Sequence, residues 1–316
     1  MRLMAEQWIA NDFGGLDVLE LREVDVPDPQ SGEVTIDVLA IGVNPTDYKG
    51  ISGSYGVDRS RLPLMLGYEV AGIISAIGSD TEIASGGGAV GDEVIAFRIS
   101  GGYATSLTVP AKDVFAKPES LDFPEAANLM LVGATALDMI RVVPWQEGET
   151  VLIHGASGSV GVVLLQLAQL QGVRAIGTSS ESAFGKVRGF GGDPIAYGDG
   201  LEARIRQLAP GDVDASYDCV GTDEAVDASL ALTKSKDRIV TIANQGRAKS
   251  DGFAAVGGGN PESSAYRDTV RADLIDLAGQ GKLTIPVAKT FPFAEAVAAL
   301  DLVKSGHPGG KVALLP

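Results

Sequence analysis

The chain has 316 residues, 45% of them hydrophobic and 21% charged, enough to bury a sizeable core and about the length of two domains at roughly 100–200 residues each. Disorder and a disulfide-stapled scaffold are excluded. Against 41 Asp and Glu stand 25 Lys and Arg, a net charge of −16 that repels phosphate backbones and anionic headgroups, so neither nucleic acid nor a membrane is an expected partner.

One cysteine, Cys219, cannot form an internal disulfide, and two histidines leave little for a zinc site, which takes three or four Cys, His or carboxylate ligands. Met1 to Asp12 lacks the basic start and apolar run of a secretory signal, and no apolar stretch nears the roughly 20 residues of a membrane span. The expectation is a cytoplasmic protein in a reducing compartment.

From Glu33 to Ile41 the run EVTIDVLAI alternates and is β-rich, and similar short runs follow at Glu69–Ile77, Asp92–Phe97 and Tyr103–Val109. Turn residues separate them, with Gly86–Gly88 as a loop, which predicts an antiparallel or barrel-like first portion. Near Phe123 the texture changes to helical spacing with a proline at a plausible helix start. Strands and helices then alternate. TVLIHG, RAIGTS, VDASYDCV, DRIVTIAN and GFAAVG read as strands, and SVGVVLLQLAQLQG and SAFGKVRGFGG as helices, the pattern of a parallel sheet covered on both faces. After about Gly259, RDTVRADLIDLAGQG reads as one helix, followed by a strand PVAKTF, a helix Phe293–Lys304 and a last strand KVALLP. The tail strands can rejoin the first domain, leaving the parallel-sheet domain as an insertion.

The strongest local signal is VLIHGASGSVGVVLLQLAQ, a strand running into Ala156-x-Gly158-x-x-Gly161 and an amphipathic helix. A lone GxGxxG is weak, but this one has a strand before it and a helix after. Gly158 lets backbone approach a pyrophosphate, Gly161 lets helix and strand pack closely, and Ser157, Ser159 and Val160 stand at the helix start with its free N–H groups and positive dipole end. Ala156 stands where the first glycine is expected. A tight turn that packs glycines for structure alone is the plainer alternative.

An acidic residue about 20 positions beyond the loop would accept the ribose 2′-OH of NAD. Here the stretch is Gly177-Thr178-Ser179-Ser180, with no carboxylate before Glu181. Small hydroxyls leave room for a 2′-phosphate, and Lys186 or Arg188 can supply charge, so NADP(H) is expected over NAD. A solvated helix face explains either basic residue equally well.

The segments IGVNPTDYKGISGSY (41–55), GYEVAGIISAIG (67–78), VGDEVIAF (90–97), GGYATSLTVPA (101–111), ANLMLVGATAL (127–137), GASGSVG (155–161), YDCVG (217–221), VTIANQG (240–246) and SGHPGGKVALLP (305–316) stand in order along the whole chain. They resemble the zinc-free branch of the medium-chain dehydrogenases and reductases, the quinone oxidoreductases and ζ-crystallins. In zinc-dependent relatives the GVN position carries a Cys and the GYE position a His; here they are Asn44 and Tyr68, and the four-cysteine structural lobe is missing. The resemblance therefore implies chemistry without a Lewis acid, on an electrophile that accepts hydride readily, such as a quinone or an α,β-unsaturated carbonyl.

The resemblance also implies site residues. Asn44 faces nicotinamide and substrate and can donate to a carbonyl oxygen as charge grows there, and Tyr55 lines the same cleft and can donate a hydrogen bond or proton. A turn residue before Pro45 and an aromatic lid are the structural readings of these two. Thr135 lies near the nicotinamide, Asn244 and Gly246 along its ribose, and Tyr197 by the adenosine phosphate. NADPH-binding members often carry Lys near the position of Phe184, which leaves Lys186 as a displaced substitute together with Ser179 and Ser180. Cys219, His154 and His307 read as structural or solvated.

The expectation is thus an α/β protein: a GroES-like, mostly-β catalytic domain (1–125, returning at 261–316) with an inserted Rossmann domain of doubly wound parallel sheet (126–260), the active site lying in the cleft between. It would reduce quinones or enones with NADPH and without zinc, as a homodimer paired through GFAAVG near Phe253. An enoyl or enone reductase with a non-quinone substrate, and an NADPH-binding protein without turnover, are the rival readings.

Overall fold

Along Glu33–Val43 nearly every side chain on both faces is buried, which is what a central strand in a two-sided core requires. In the computed structural model, which describes residues 3–306 and 308–316, this strand pairs antiparallel with Glu69–Ile77, Ser106–Pro110 and Lys311–Leu315. His307 lies outside the described residues. A seven-stranded sheet results, completed by Glu93–Phe97, Val114–Ala116 and Val287–Pro292. Its core gathers Ile36, Ile41, Val70, Val94, Leu300 and Leu314, each contributing about 1.5–3 kcal/mol on burial.

The register has a chemical consequence. Val43 faces Val312 and Ile41 faces Val70, so the end of one strand meets the starts of two others. Asn44, Glu69 and Lys311, remote in sequence, arrive at one end of the sheet.

A three-stranded sheet of Leu3–Ala10, Leu19–Val26 and Leu64–Met65 went unread in the sequence. Leu19–Val26 is largely exposed and carries four charges, Glu20, Arg22, Glu23 and Asp25, so it lacks the apolar run of a core strand. The tail does rejoin the sheet, Lys311–Leu315 binding Glu33–Val43 and Val287–Pro292 lying parallel beside it.

The compact unit built on this sheet takes in the chain up to Leu131 and Ile285–Pro316; the second is Val132–Thr284. The boundaries expected at 125/126 and 260/261 are thereby corrected. The stretch 261–284 belongs to the second unit because Arg267 pairs with buried Asp138 at 3.1 Å, a Cβ on Gly133 would meet Leu274 at 2.6 Å, and Gln166 donates to the Thr284 carbonyl at 3.0 Å. The single helix read at 267–281 is two, Pro261–Thr269 and Arg271–Gly279, broken at Val270 with φ −94° and ψ 4°.

The second unit holds a six-strand parallel sheet in the order Gly192–Ala196, Arg174–Ser179, Thr150–His154, Ala215–Asp218, Ile239–Thr241, Ala254–Ala255. Numbered in chain order within this sheet, that is 3-2-1-4-5-6, the Rossmann arrangement, whose strand order reverses at Thr150–His154. GFAAVG contributes only Ala254–Ala255 as strand. No helix among the described residues is long and apolar enough to cross a membrane.

Candidate active site

Asn44 is 1% exposed and its amide is fully engaged. Nδ2 donates to Glu69 Oε1 at 2.9 Å and to the Gly42 carbonyl at 3.3 Å, while Oδ1 accepts from the Lys311 ammonium. Lys311 also lies 3.2 Å from Glu69 Oε1, and Glu69 Oε2 accepts the Leu131 N–H at 3.0 Å. The donor role expected of Asn44 therefore requires one of these bonds to be given up.

Asn44 also caps the helix Pro45–Ile51, whose third residue, Asp47, returns the bond by accepting the Asn44 N–H. That reciprocal capping box makes Asp47 Oδ2 the acceptor for the Asn44 N–H at 2.9 Å and for the Tyr103 hydroxyl at 3.1 Å. Burial pushes the Asp47 carboxyl up to about 7, against the pull of these two donors and of Lys311.

Asp47 lines a cavity of about 400 Å³ together with Thr46, Tyr55, Arg61, Tyr68 and Ile99. Tyr55 is 68% exposed, at the rim as an aromatic lid would be. Asn44 is not among the residues lining this cavity, though it bonds to Asp47, which is. Asp47, Glu69, Lys311 and Tyr103 went unnoticed as a group in the sequence. Only the Asn-Pro-x-Asp capping pattern could have drawn attention to Asp47.

In the second unit, Gly155 has φ +71°, and a Cβ there would meet Val220 at 2.5 Å. At Gly161 a Cβ would fall 2.3 Å from the Gly155 carbonyl oxygen, so close helix–strand packing demands glycine. Ala156 in place of a glycine is accommodated by Gly177, whose missing Cβ would sit 2.5 Å from the Ala156 methyl. Gly158 caps Ser159–Leu170 with no side chain bonded to the helix start, leaving the first helical N–H groups, Ser159 and Val160 among them, without intrahelical acceptors.

Lys186 crosses to this loop and donates to the Ser157 carbonyl at 2.9 Å; partial burial lowers its readiness to hold a proton. Thr178 turns its hydroxyl to the loop, accepting from the Gly155 N–H at 3.2 Å. Ser179 donates to the Ser180 carbonyl and Ser180 pairs with Ser182. Tyr197 is 54% exposed, and its N–H reaches the Ser179 carbonyl at 3.4 Å.

Asn244 caps Gln245–Asp251, accepting the Arg247 N–H at 3.0 Å and donating to the Gly221 carbonyl at 2.9 Å. Its amide ties two loops at the ends of adjacent strands, and exposed Gly246 follows in the first turn. Thr135 is buried, at 8% exposure, within Leu129–Val142. Asp218, overlooked in the sequence, organises the loop beside Gly155 by accepting the N–H groups of Val220 and Gly221 and the Thr241 hydroxyl. Burial, with Asp218 adding to it, pushes the Cys219 thiol up, away from nucleophile chemistry.

Residues 30–119 match the family model of the alcohol dehydrogenase GroES-like domain and residues 191–314 that of the zinc-binding dehydrogenases. The solved native structure of a mycobacterial quinone oxidoreductase superposes with a TM-score of 0.79 and 30% identity over 99% of this chain and all of that one. The chain belongs to the medium-chain dehydrogenases and reductases, in their quinone oxidoreductase branch. A second mycobacterial structure, complexed with NADPH, gives a TM-score of 0.84 and 29% identity over 98% of this chain and 100% of that one. The 2-methylene-furan-3-one reductase of Solanum lycopersicum is 29% identical over 98% of this chain and 78% of its own length.

In this medium-chain reductase the two positions that carry zinc ligands in metal-dependent members do not suit a dication. Asn44 offers an amide oxygen already bonded to an ammonium, and that ammonium would repel the metal. Tyr68 packs edge-on against Phe97, ring centroids 5.4 Å apart. Glycine loop and helix start, by contrast, suit a dinucleotide: two glycines permit close approach, free N–H groups point outward from the helix start, and Lys186 adds a cation.

Proposed function

We propose that this oxidoreductase reduces quinones or α,β-unsaturated carbonyls with NADPH and without zinc. Lys186 placed against Ser157 carries the cofactor reading: a cation stands at the glycine loop, and no carboxylate ends the neighbouring strand, which stops at Ser179. Ser157, Gly158, Ser159 and Val160 would hold the pyrophosphate, and Lys186, Ser179, Ser180 and Tyr197 the adenosine end. Thr135, Asn244 and Gly246 would flank the nicotinamide and its ribose. When bound, the cofactor supplies hydride. The chain's own residues orient the electrophile and keep water from competing. Phe13, Tyr55 and Tyr68, among the residues lining the cavity, support a flat conjugated substrate there.

Binding of NADPH and NADH, followed by fluorescence, together with NADPH oxidation over a panel of quinones, enones and aldehydes, tests this reading. NADPH should bind more tightly. Lys186→Ala should lose part of that preference, up to the roughly 1.5–3 kcal/mol of a charge-assisted bond. Equal NADH affinity refutes the preference, and binding without turnover of any substrate favours a cofactor-binding protein. A homodimer joined at the edge strand Ala254–Ala255, which pairs with Ile239–Thr241 on one side, is part of the same proposal and is read by light scattering.

A further inference from the structure

Reduction of an enone needs a proton as well as a hydride. Besides the hydroxyl of exposed Tyr55, the cavity offers a second source in Asp47. Asp47 is among the residues lining the cavity although it is only 8% exposed. Its two oxygens are treated differently. Oδ2 accepts both the Asn44 N–H and the Tyr103 hydroxyl, whereas no hydrogen bond from the described residues reaches Oδ1.

A protonated carboxyl has one oxygen that accepts and one that carries the proton. The pair of donors on Oδ2 makes it the accepting, carbonyl-like oxygen and leaves the proton to Oδ1. No protein acceptor claims it there.

From this asymmetry we infer that Asp47 is the proton donor of the reductase, delivering from Oδ1 to a substrate held in the cavity that Tyr55 and Tyr68 line. The inference rests on the reductase reading above. Once hydride has added to the β-carbon of the enone, the π electrons of its C=C bond move toward the carbonyl oxygen. The Asp47 O–H bond breaks, its electron pair stays on the carboxylate, and the proton goes to the enolate oxygen. The resulting enol tautomerises to the ketone as water delivers a proton to the α-carbon and takes the one on oxygen. Solvent in the cavity then returns a proton to Asp47.

The surroundings suit a carboxyl that cycles between both forms. Burial holds the proton on it up to about neutrality. Tyr103 and the Asn44 N–H stabilise the carboxylate left behind, and the Lys311 ammonium favours it at longer range while Glu69 opposes it. Arg61 lines the same cavity and adds a positive charge to its wall. A donor whose proton affinity lies near the working pH is the most effective general acid.

A structural role in the helix cap is the alternative, and Asp47→Asn separates the two. Its amide keeps an oxygen for the Asn44 and Tyr103 donors but has no acidic proton to give. In the cofactor-free protein, difference infrared spectroscopy across a pH titration should show a carboxyl C=O band lost with a midpoint near 7 and absent in Asp47→Asn. The wild-type enone reductase profile should fall as pH rises through the same midpoint. In Asp47→Asn that limb should vanish, with turnover down tenfold or more below it and NADPH affinity unchanged.

Tyr103→Phe, which removes one donor from Oδ2, should move both the infrared midpoint and the limb to higher pH. It decides the matter if Asp47→Asn does not fold. Asp47→Asn with unaltered rate and profile, no carboxyl band titrating near neutrality, or an unmoved limb in Tyr103→Phe overturns the inference while the reductase reading stands. A protein inactive on every quinone and enone overturns both.

Discussion

The Lys311 ammonium lies 3.2 Å from Glu69 Oε1, with 4% of one side chain and none of the other exposed. The charges neutralise each other where water cannot, and Asn44 bonds to both. Removing one partner leaves the other buried and uncompensated, a cost of about 3–5 kcal/mol. Lys311→Met should therefore destabilise the catalytic unit by about that amount in urea unfolding. A loss under about 1 kcal/mol would mean that the pair is solvated.

Two glycines of the cofactor loop should respond differently to alanine. A Cβ at Gly161 falls 2.3 Å from the Gly155 oxygen and 2.7 Å from Ala156 Cα, whereas one at Gly158 meets its nearest neighbour at 3.1 Å. Backbone cannot yield as a side-chain tip can. Gly161→Ala should lower stability by about 1–3 kcal/mol and abolish NADPH binding. Gly158→Ala should unfold within about 1 kcal/mol of the parent but bind NADPH more weakly, because its methyl stands where the pyrophosphate would approach. Thermal unfolding and a fluorescence titration check both.

Acid should loosen the cofactor unit through His154. Its ring is 1% exposed, Nε2 has no hydrogen-bond partner, and burial holds its proton affinity well below the ordinary histidine range, against the nearby Asp218. The unfolded chain takes up this proton first, at a pH of about 6.5. The stabilising contribution is thus complete above that value and is lost as pH falls toward the depressed folded value. Asp47 has the opposite sign, since its raised folded value of about 7 makes its contribution fullest below the unfolded value and lost as pH rises through 7. Urea unfolding of wild type and His154→Leu between pH of about 7 and 4.5 isolates the histidine: its loss in wild type should be on the order of 1–3 kcal/mol and absent in the variant.

Tyr55 and Asn44 should part company on mutation. Tyr55, exposed at the cavity rim, should when changed to Phe lower enone turnover by up to tenfold, about 1.4 kcal/mol, with stability unchanged. Asn44→Ala removes one partner each from Lys311 and Glu69, so about 1–3 kcal/mol of stability should go, with turnover falling only as the site loosens. Unfolding curves beside stopped-flow hydride transfer distinguish these outcomes. Complete loss of turnover in Tyr55→Phe would make that hydroxyl the obligate proton source in place of Asp47.

Local pattern sufficed for the Rossmann sheet and the glycine loop, because strand, tight turn and helix lie within one stretch of chain and each signals itself by period and by glycine. The alternating run at Glu33 and the returning tail strand at Lys311 were legible for the same reason. What the sequence left open depends on contacts between distant residues. Asn44 reads as a substrate donor until the register of three strands brings Glu69 and Lys311 to its amide, 25 and 267 positions away. Asp47 drew no notice in the sequence, and its burial and its bond to Tyr103 exist only in the fold. Burial and hydrogen-bond partners decide what a polar side chain is free to do, and both are properties of the packed fold.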